Sequence, residues 1–292
     1  MNYTIENGIL NVTVSSKGGE MQSIKTKDGT EYLWQGSQET WSDKAPNIFP
    51  YVGRLTNKTY TFQGKEYHME IHGFLPYEEM DCVIYEKNKV IFRLRDNDRL
   101  NQIYPFHFEY ILGYKLEKNK ICVTIEIHNL DEKTMYFGLG GHPGFNVPLE
   151  EGLEFEDYCL EFSKDCEPLQ ITFSETCFVT DENKPYSLVN ERKIPLKHDL
   201  FDEDAIVFHN VAKEVSLKSE KGKKAVKVTF PQMDYIGFWH WPKSTVQYVC
   251  IEPWSSLPAR EGVIEDFEKQ ENMLSLGVGE TYTNTWFIEI VE

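Results

Sequence analysis

Hydrophobic and polar residues alternate with a period of two along most of the chain. Leu10, Val12 and Val14 in ILNVTVSS form the first run, and Val90, Phe92 and Leu94 in KVIFRLR another. The pattern returns with Ile121, Val123, Ile125 and Ile127 in ICVTIEIHN, and with Val226, Val228 and Phe230 in AVKVTF. It closes the chain with Tyr282, Trp286, Ile288 and Ile290 in TYTNTWFIEIV. Successive side chains of a strand point to opposite faces, so each run predicts a strand with one face on a core and one in water. Turn signals separate the runs: ENG at 6–8, KDG at 27–29, QGK at 63–65 and KNK at 118–120. The tetrapeptide EKNK, at 86–89 and again at 117–120, precedes an alternating run each time and predicts two similar hairpin turns. Helical spacing is confined to a short stretch at 259–269. No Gly/Ser linker or low-complexity tract divides the sequence. The pattern predicts an all-β protein, with residues 1–292 forming one domain, a single large antiparallel β-sandwich.

Composition narrows the function classes. Hydrophobic residues make up 40% and aromatics 14% of the 292 residues, enough for a large core and against disorder. A formal net charge of −17 argues against nucleic acid and against an anionic membrane surface as partner. No window reaches the apolar length of a transmembrane helix, and the start, MNYTIENGILNVTVSS, lacks the basic and apolar regions of a signal peptide. Six scattered cysteines with no Cys-x-x-Cys pair read as reduced thiols in a cytoplasmic protein and offer no zinc or redox motif.

Five residues stand out as candidate chemistry. Glu252 lies in VCIEPWSSLPA and shares its parity with Val246, Tyr248 and Cys250. A carboxylate among apolar neighbours must reach water, find a partner or take a proton, so it is either a solvated strand end or a base held in a pocket. His142 sits among four glycines and Pro143 in YFGLGGHPGFNVP, where missing side chains would leave room for a ligand. Arg54 follows Gly53 in NIFPYVGRLTNKTY, an apolar setting that directs a guanidinium into a cleft or leaves it on the surface. His72 precedes Gly73 in EIHGFLP and reads as structural or catalytic; His68, four residues earlier on a strand-and-turn segment, makes no metal pair with it. Asp204 falls in the acidic run of DLFDEDAIVF, which by itself looks like a solvated turn. The aromatics Phe238, Trp239 and Trp241 around His240 would suit either a sugar face or a core. No nucleophile elbow, P-loop, dinucleotide fingerprint, zinc-protease helix or EF-hand loop is present.

Taken in order, VGR at 52–54, HGF at 72–74, GGHPGFN at 140–146 and CIEPW at 250–254 resemble the aldose 1-epimerase (galactose mutarotase-like) family, over nearly the whole chain. The resemblance implies a β-supersandwich and a cofactor-free, metal-free mutarotase acting on an aldohexose. It assigns Glu252 as base and His142, charged at the start, as acid, with Arg54, His72 and Asp204 holding the sugar. HGF, where the best-known galactose mutarotases have a histidine and two glycines, looks like the branch that includes hexose-6-phosphate mutarotases. That branch continues with a small residue and Arg; here Leu75 and Pro76 follow, so an obvious phosphate partner is missing. A non-catalytic carbohydrate-binding protein on the same sandwich is the alternative. A glycoside hydrolase or lyase is a third reading, though hydrolases usually place two carboxylates across the bond. A monomer and a homodimer fit equally well.

Overall fold

The computed structural model describes residues 1–180 and 182–292. The described residues form strands and short 3-10 turns, with no α-helix. Two large antiparallel sheets dominate, one of nine strands and one of eight, joined by three small sheets. The paired hairpins predicted by EKNK are present in the nine-stranded sheet: Asp81–Glu86 turns into Lys89–Arg95, and Phe108–Glu117 turns into Lys120–Asn129. In Lys120–Asn129 every second residue is buried, as the alternation requires. The C-terminal strand Thr281–Val291 pairs along its other edge and places Trp286, Ile288 and Ile290 on the same buried face.

The two sheets pack face to face. Phe162 of the nine-stranded sheet meets Phe238 of the eight-stranded sheet at 6.2 Å between ring centres. Phe49, beside the edge strand Asn47–Ile48 of the smaller sheet, lies 4.8 Å from Tyr110 of the larger. One contiguous apolar cluster runs through both layers. An all-β sandwich is therefore the fold, as the alternation predicted.

The helix expected at 259–269 is absent. Residues Glu265–Asp266 instead form a two-residue strand parallel to Thr59–Phe62. Gly262 takes a left-handed φ of +71°, which a right-handed helix forbids. The buried Glu265 carboxylate accepts three hydrogen bonds from Arg260, and Phe267 stacks 3.7 Å from Tyr60. These tertiary contacts outweigh a weak local preference.

Candidate active site

Glu252 stands in the strand Tyr248–Trp254, every residue of which is buried. On one side this strand pairs with Tyr235–Trp239, which sets Gly237 opposite Glu252. On the other side the glycine-rich segment pairs with it in two pieces, Gly140 against Trp254 and Gly144–Asn146 against residues 248–250. His142 and Pro143 leave the ladder between those pieces. The His142 amide instead donates to the Pro46 carbonyl at 2.9 Å, and the Ile251 amide donates to the Pro143 carbonyl at 3.1 Å. Such a break re-aims a side chain. The His142 ring arrives beside Glu252, with Nε2 3.1 Å from Oε2.

The glycines around His142 serve a different purpose from the one their sequence suggested. A Cβ at Gly141 would lie 2.7 Å from the Trp286 ring, and one at Gly144 2.8 Å from Trp41. One at Gly138 would strike Ser256, and one at Gly140 the Pro253 carbonyl. None of the four lines the cavity. They let the backbone carrying His142 press against its own protein.

His72 and Arg54 come in together. The His72 amide donates to the Gly53 carbonyl at 3.0 Å, and the Gly53 amide donates to His72 Nδ1 at 3.2 Å. Because Nδ1 accepts, the neutral ring keeps its hydrogen on Nε2. His72 itself has φ +61°, and Gly73 follows at +81° with no room for a Cβ against the Phe49 carbonyl. A histidine held in left-handed backbone is a strained position of the kind that clusters at functional sites. Its ring stands edge-on to His142 at 5.4 Å. At the rim, Arg54 Nη1 lies 3.5 Å from Asp204 Oδ2, both side chains partly exposed, and Asp204 also has a positive φ of +85°. Asp202 is occupied elsewhere, accepting from the Lys243 amide at 3.2 Å, so the acidic run separates into different environments.

All five residues line one cavity of about 250 Å³. Trp41 and Trp239 flank the His142 ring at 5.0 and 5.6 Å. Of the aromatic cluster around His240, Trp239 alone faces this space; Phe238 and His240 are buried in the core, and Trp241 is largely outside. Sequence reasoning missed Trp41, Asp43, Tyr77, Phe173 and Cys177 on the cavity wall. Trp41 and Asp43 sit in an irregular segment without periodicity, and only the tertiary fold brings them here. Trp254 was legible only as the neighbour of Glu252.

Electrostatically the site is dominated by burial. Burial pulls His142 down to about 4, although Asp204 acts the other way. Burial, helped by the Asp204 charge, pushes Glu252 well above the ordinary carboxyl range. The Trp254 indole eases that rise, but its N–H makes no aligned hydrogen bond, so burial wins. His72 is held well below its usual value by burial and then by His142 and Arg54. The His142–Glu252 separation is that of an ion pair. Even so, both Glu252 oxygens and His142 Nδ1 lack hydrogen-bond partners among the described residues. A buried pair with so few compensating bonds favours the uncharged form, a protonated carboxyl beside a neutral imidazole. The charged His142 expected from the resemblance is thus disfavoured by the protein alone.

The chain and its fold belong with a known family. The aldose 1-epimerase family model matches residues 1–268, and the chain is a member of that family. The plasmid-borne LacX protein of Lactococcus lactis subsp. lactis is 33% identical over 288 residues, covering 94% of this chain and 96% of that protein. A galactose mutarotase related enzyme from Lactobacillus acidophilus superposes with a TM-score of 0.94 at 33% identity, over 99% of this chain and 97% of its own. A galactose mutarotase-like protein from Lactobacillus casei ATCC 334 also gives 0.94, at 26% identity, over 99% and 100%. The family acts on sugars. No helix among the described residues is long and apolar enough to cross a membrane.

Proposed function

We propose that the protein is an aldose 1-epimerase that interconverts the α and β anomers of a hexose, with Glu252 and His142 exchanging protons with the sugar. The observation that carries this reading is the 3.1 Å approach of His142 to Glu252 on the wall of a sugar-sized cavity shared with His72, Arg54 and Asp204. In ring opening, the Glu252 carboxylate takes the proton from the C1 hydroxyl, C1=O forms as the bond from C1 to the ring oxygen breaks, and imidazolium His142 protonates that oxygen. Rotation about C1–C2 and the reverse transfers close the ring on the other face. Two positioned groups of this kind each contribute typically ~100- to 10,000-fold.

The charged pair is the form that starts ring opening, and the neutral pair is the form that accompanies the open chain. Burial favours the second, so the protein environment lowers the open-chain stage relative to the bound cyclic sugar. Hydrogen bonds from the sugar, with Arg54 and the Nε2–H of His72, would have to stabilise the first. Asp204, an acceptor at the rim, suits sugar hydroxyls. Among the described residues Arg54 is the single Lys or Arg on the cavity wall, and Asp204 already pairs with it, which favours an unphosphorylated hexose. We read residues 1–292 as one domain built on one main core cluster, and the six free thiols fit a cytoplasmic setting.

Polarimetry on freshly dissolved α-glucose, α-galactose and glucose 6-phosphate tests the reading. Accelerated loss of optical rotation with a neutral hexose is expected. Sugar binding with no acceleration for any of the three would favour the non-catalytic carbohydrate-binding reading instead.

A further inference from the structure

Cys250 precedes Glu252 by two residues on the same strand, so both side chains leave the same face. The Cys250 sulfur, a Glu252 oxygen and a His142 ring nitrogen all lie within 4.8 Å of one another, and all three residues are buried. The sugar chemistry proposed above gives the thiol no part. We propose that His142, Cys250 and Glu252 also form a chelating site for a soft divalent cation of the zinc or cadmium type, and that metal bound there blocks the enzyme.

Three observations support the site. First, thiolate, imidazole and carboxylate are each donors that zinc accepts, and three protein ligands leave one position of a tetrahedral site open. Second, the spacing is close to what one ion requires. Two ligands at ordinary Zn–N and Zn–O lengths on a tetrahedral ion stand about 3.3 Å apart; His142 Nε2 and Glu252 Oε2 are separated by 3.1 Å. The sulfur needs a side-chain adjustment of the order of an ångström to join them. Third, both oxygens of the buried Glu252 lack a hydrogen-bond partner among the described residues, so a cation would satisfy atoms that the protein leaves unsatisfied.

Charge balance favours the complex as well. A divalent cation with one thiolate, one carboxylate and one neutral imidazole is neutral overall, which avoids burying a net charge. Thiolate and carboxylate bind the ion deprotonated, so binding releases protons. Binding therefore tightens as pH rises. The ion occupies the atoms that would exchange protons with the sugar, so inhibition should be relieved by excess sugar.

Cobalt(II) replaces zinc as a visible probe. Titrating the intact protein with cobalt(II) should produce tetrahedral visible bands and a thiolate-to-cobalt charge-transfer band in the near ultraviolet. Both Cys250→Ser and Cys250→Ala should lose the charge-transfer band and bind zinc at least ~10-fold more weakly, the lower end of what loss of a metal-site residue costs. Their metal-free anomerase activity should persist. A wild-type protein without the band, or a band and zinc affinity unchanged in either folded variant, would overturn the site, since one of the other five thiols would then be the ligand. The inhibitory part rests on the mutarotase reading, but the spectrum does not. A cobalt band without anomerase activity would leave the chelate standing and remove the proposed function.

Discussion

The nine-stranded sheet and the region around Glu252 solve opposite problems. In Phe108–Glu117 and Lys120–Asn129 the chain runs ten residues at a time in unbroken register, burying every second side chain. Around the cavity, paired segments are two to seven residues long, the ladder breaks at His142, and His72 and Asp204 adopt left-handed backbone. The first region gains stability from repetition. The second uses departures from repetition to turn particular side chains towards one space. The contrast teaches that in this sandwich stability and chemistry reside in different kinds of backbone, and substitutions should separate them.

The largest effect should come from the proton-exchanging pair. Glu252→Gln and His142→Asn should each lose ~100- to 10,000-fold in kcat/KM by polarimetry while the protein stays folded by circular dichroism. Near-normal turnover in either would remove its residue from the mechanism. The complementary change lies in the regular sheet. Ile125→Ala, fully buried in Lys120–Asn129, should lose about 2–5 kcal/mol in denaturant melts, with activity per folded molecule preserved. Activity falling in step with stability there would erase the division between the two regions.

A third test uses pH. Burial holds His240 down to about 4 against an ordinary 6.5, and it donates to the Trp241 carbonyl and contacts His198. Between those pH values the unfolded chain binds a proton that the folded one refuses, so folding stability falls as pH drops from 6.5 towards 4. A shift of that size in a fully buried ring corresponds to the order of 3 kcal/mol. His240→Asn should flatten the decline of melting temperature with acidification; an unchanged slope would place the effect in other groups, His142 and His72 among them. The smallest effect belongs to the rim. Asp204→Asn breaks a partly exposed ion pair with Arg54 and should raise KM by about fivefold at most with little change in kcat. A loss confined to kcat would move Asp204 from holding sugar to the chemistry itself.

Much of the fold was legible because period two is a direct consequence of strand geometry. The hairpins at EKNK and the buried faces of Lys89–Arg95 and Lys120–Asn129 stand where the pattern put them. The parity of Val246, Tyr248 and Cys250 was a weaker guide. Tyr248–Trp254 is buried on both faces, so burial there no longer follows alternation. Glu252 consequently reads the same in sequence whether it is solvated or enclosed, and the motif resemblance, rather than periodicity, singled it out. The same holds for Asp204, which its acidic neighbours mask. Trp41 left no trace at all, since its place over His142 depends on residues distant in the chain. The stretch at 259–269 misled because the contacts of Glu265 and Phe267 are invisible to local spacing.

The aromatic walls of the cavity have an optical consequence. The protein has six tryptophans, and three of them, Trp41, Trp239 and Trp254, line this space. Two of those flank the ring of His142. Half of the molecule's indoles therefore stand beside whatever occupies the cavity. A sugar or a metal ion arriving there changes the polarity and quenching around those rings, so the protein carries its own fluorescent reporter of occupancy.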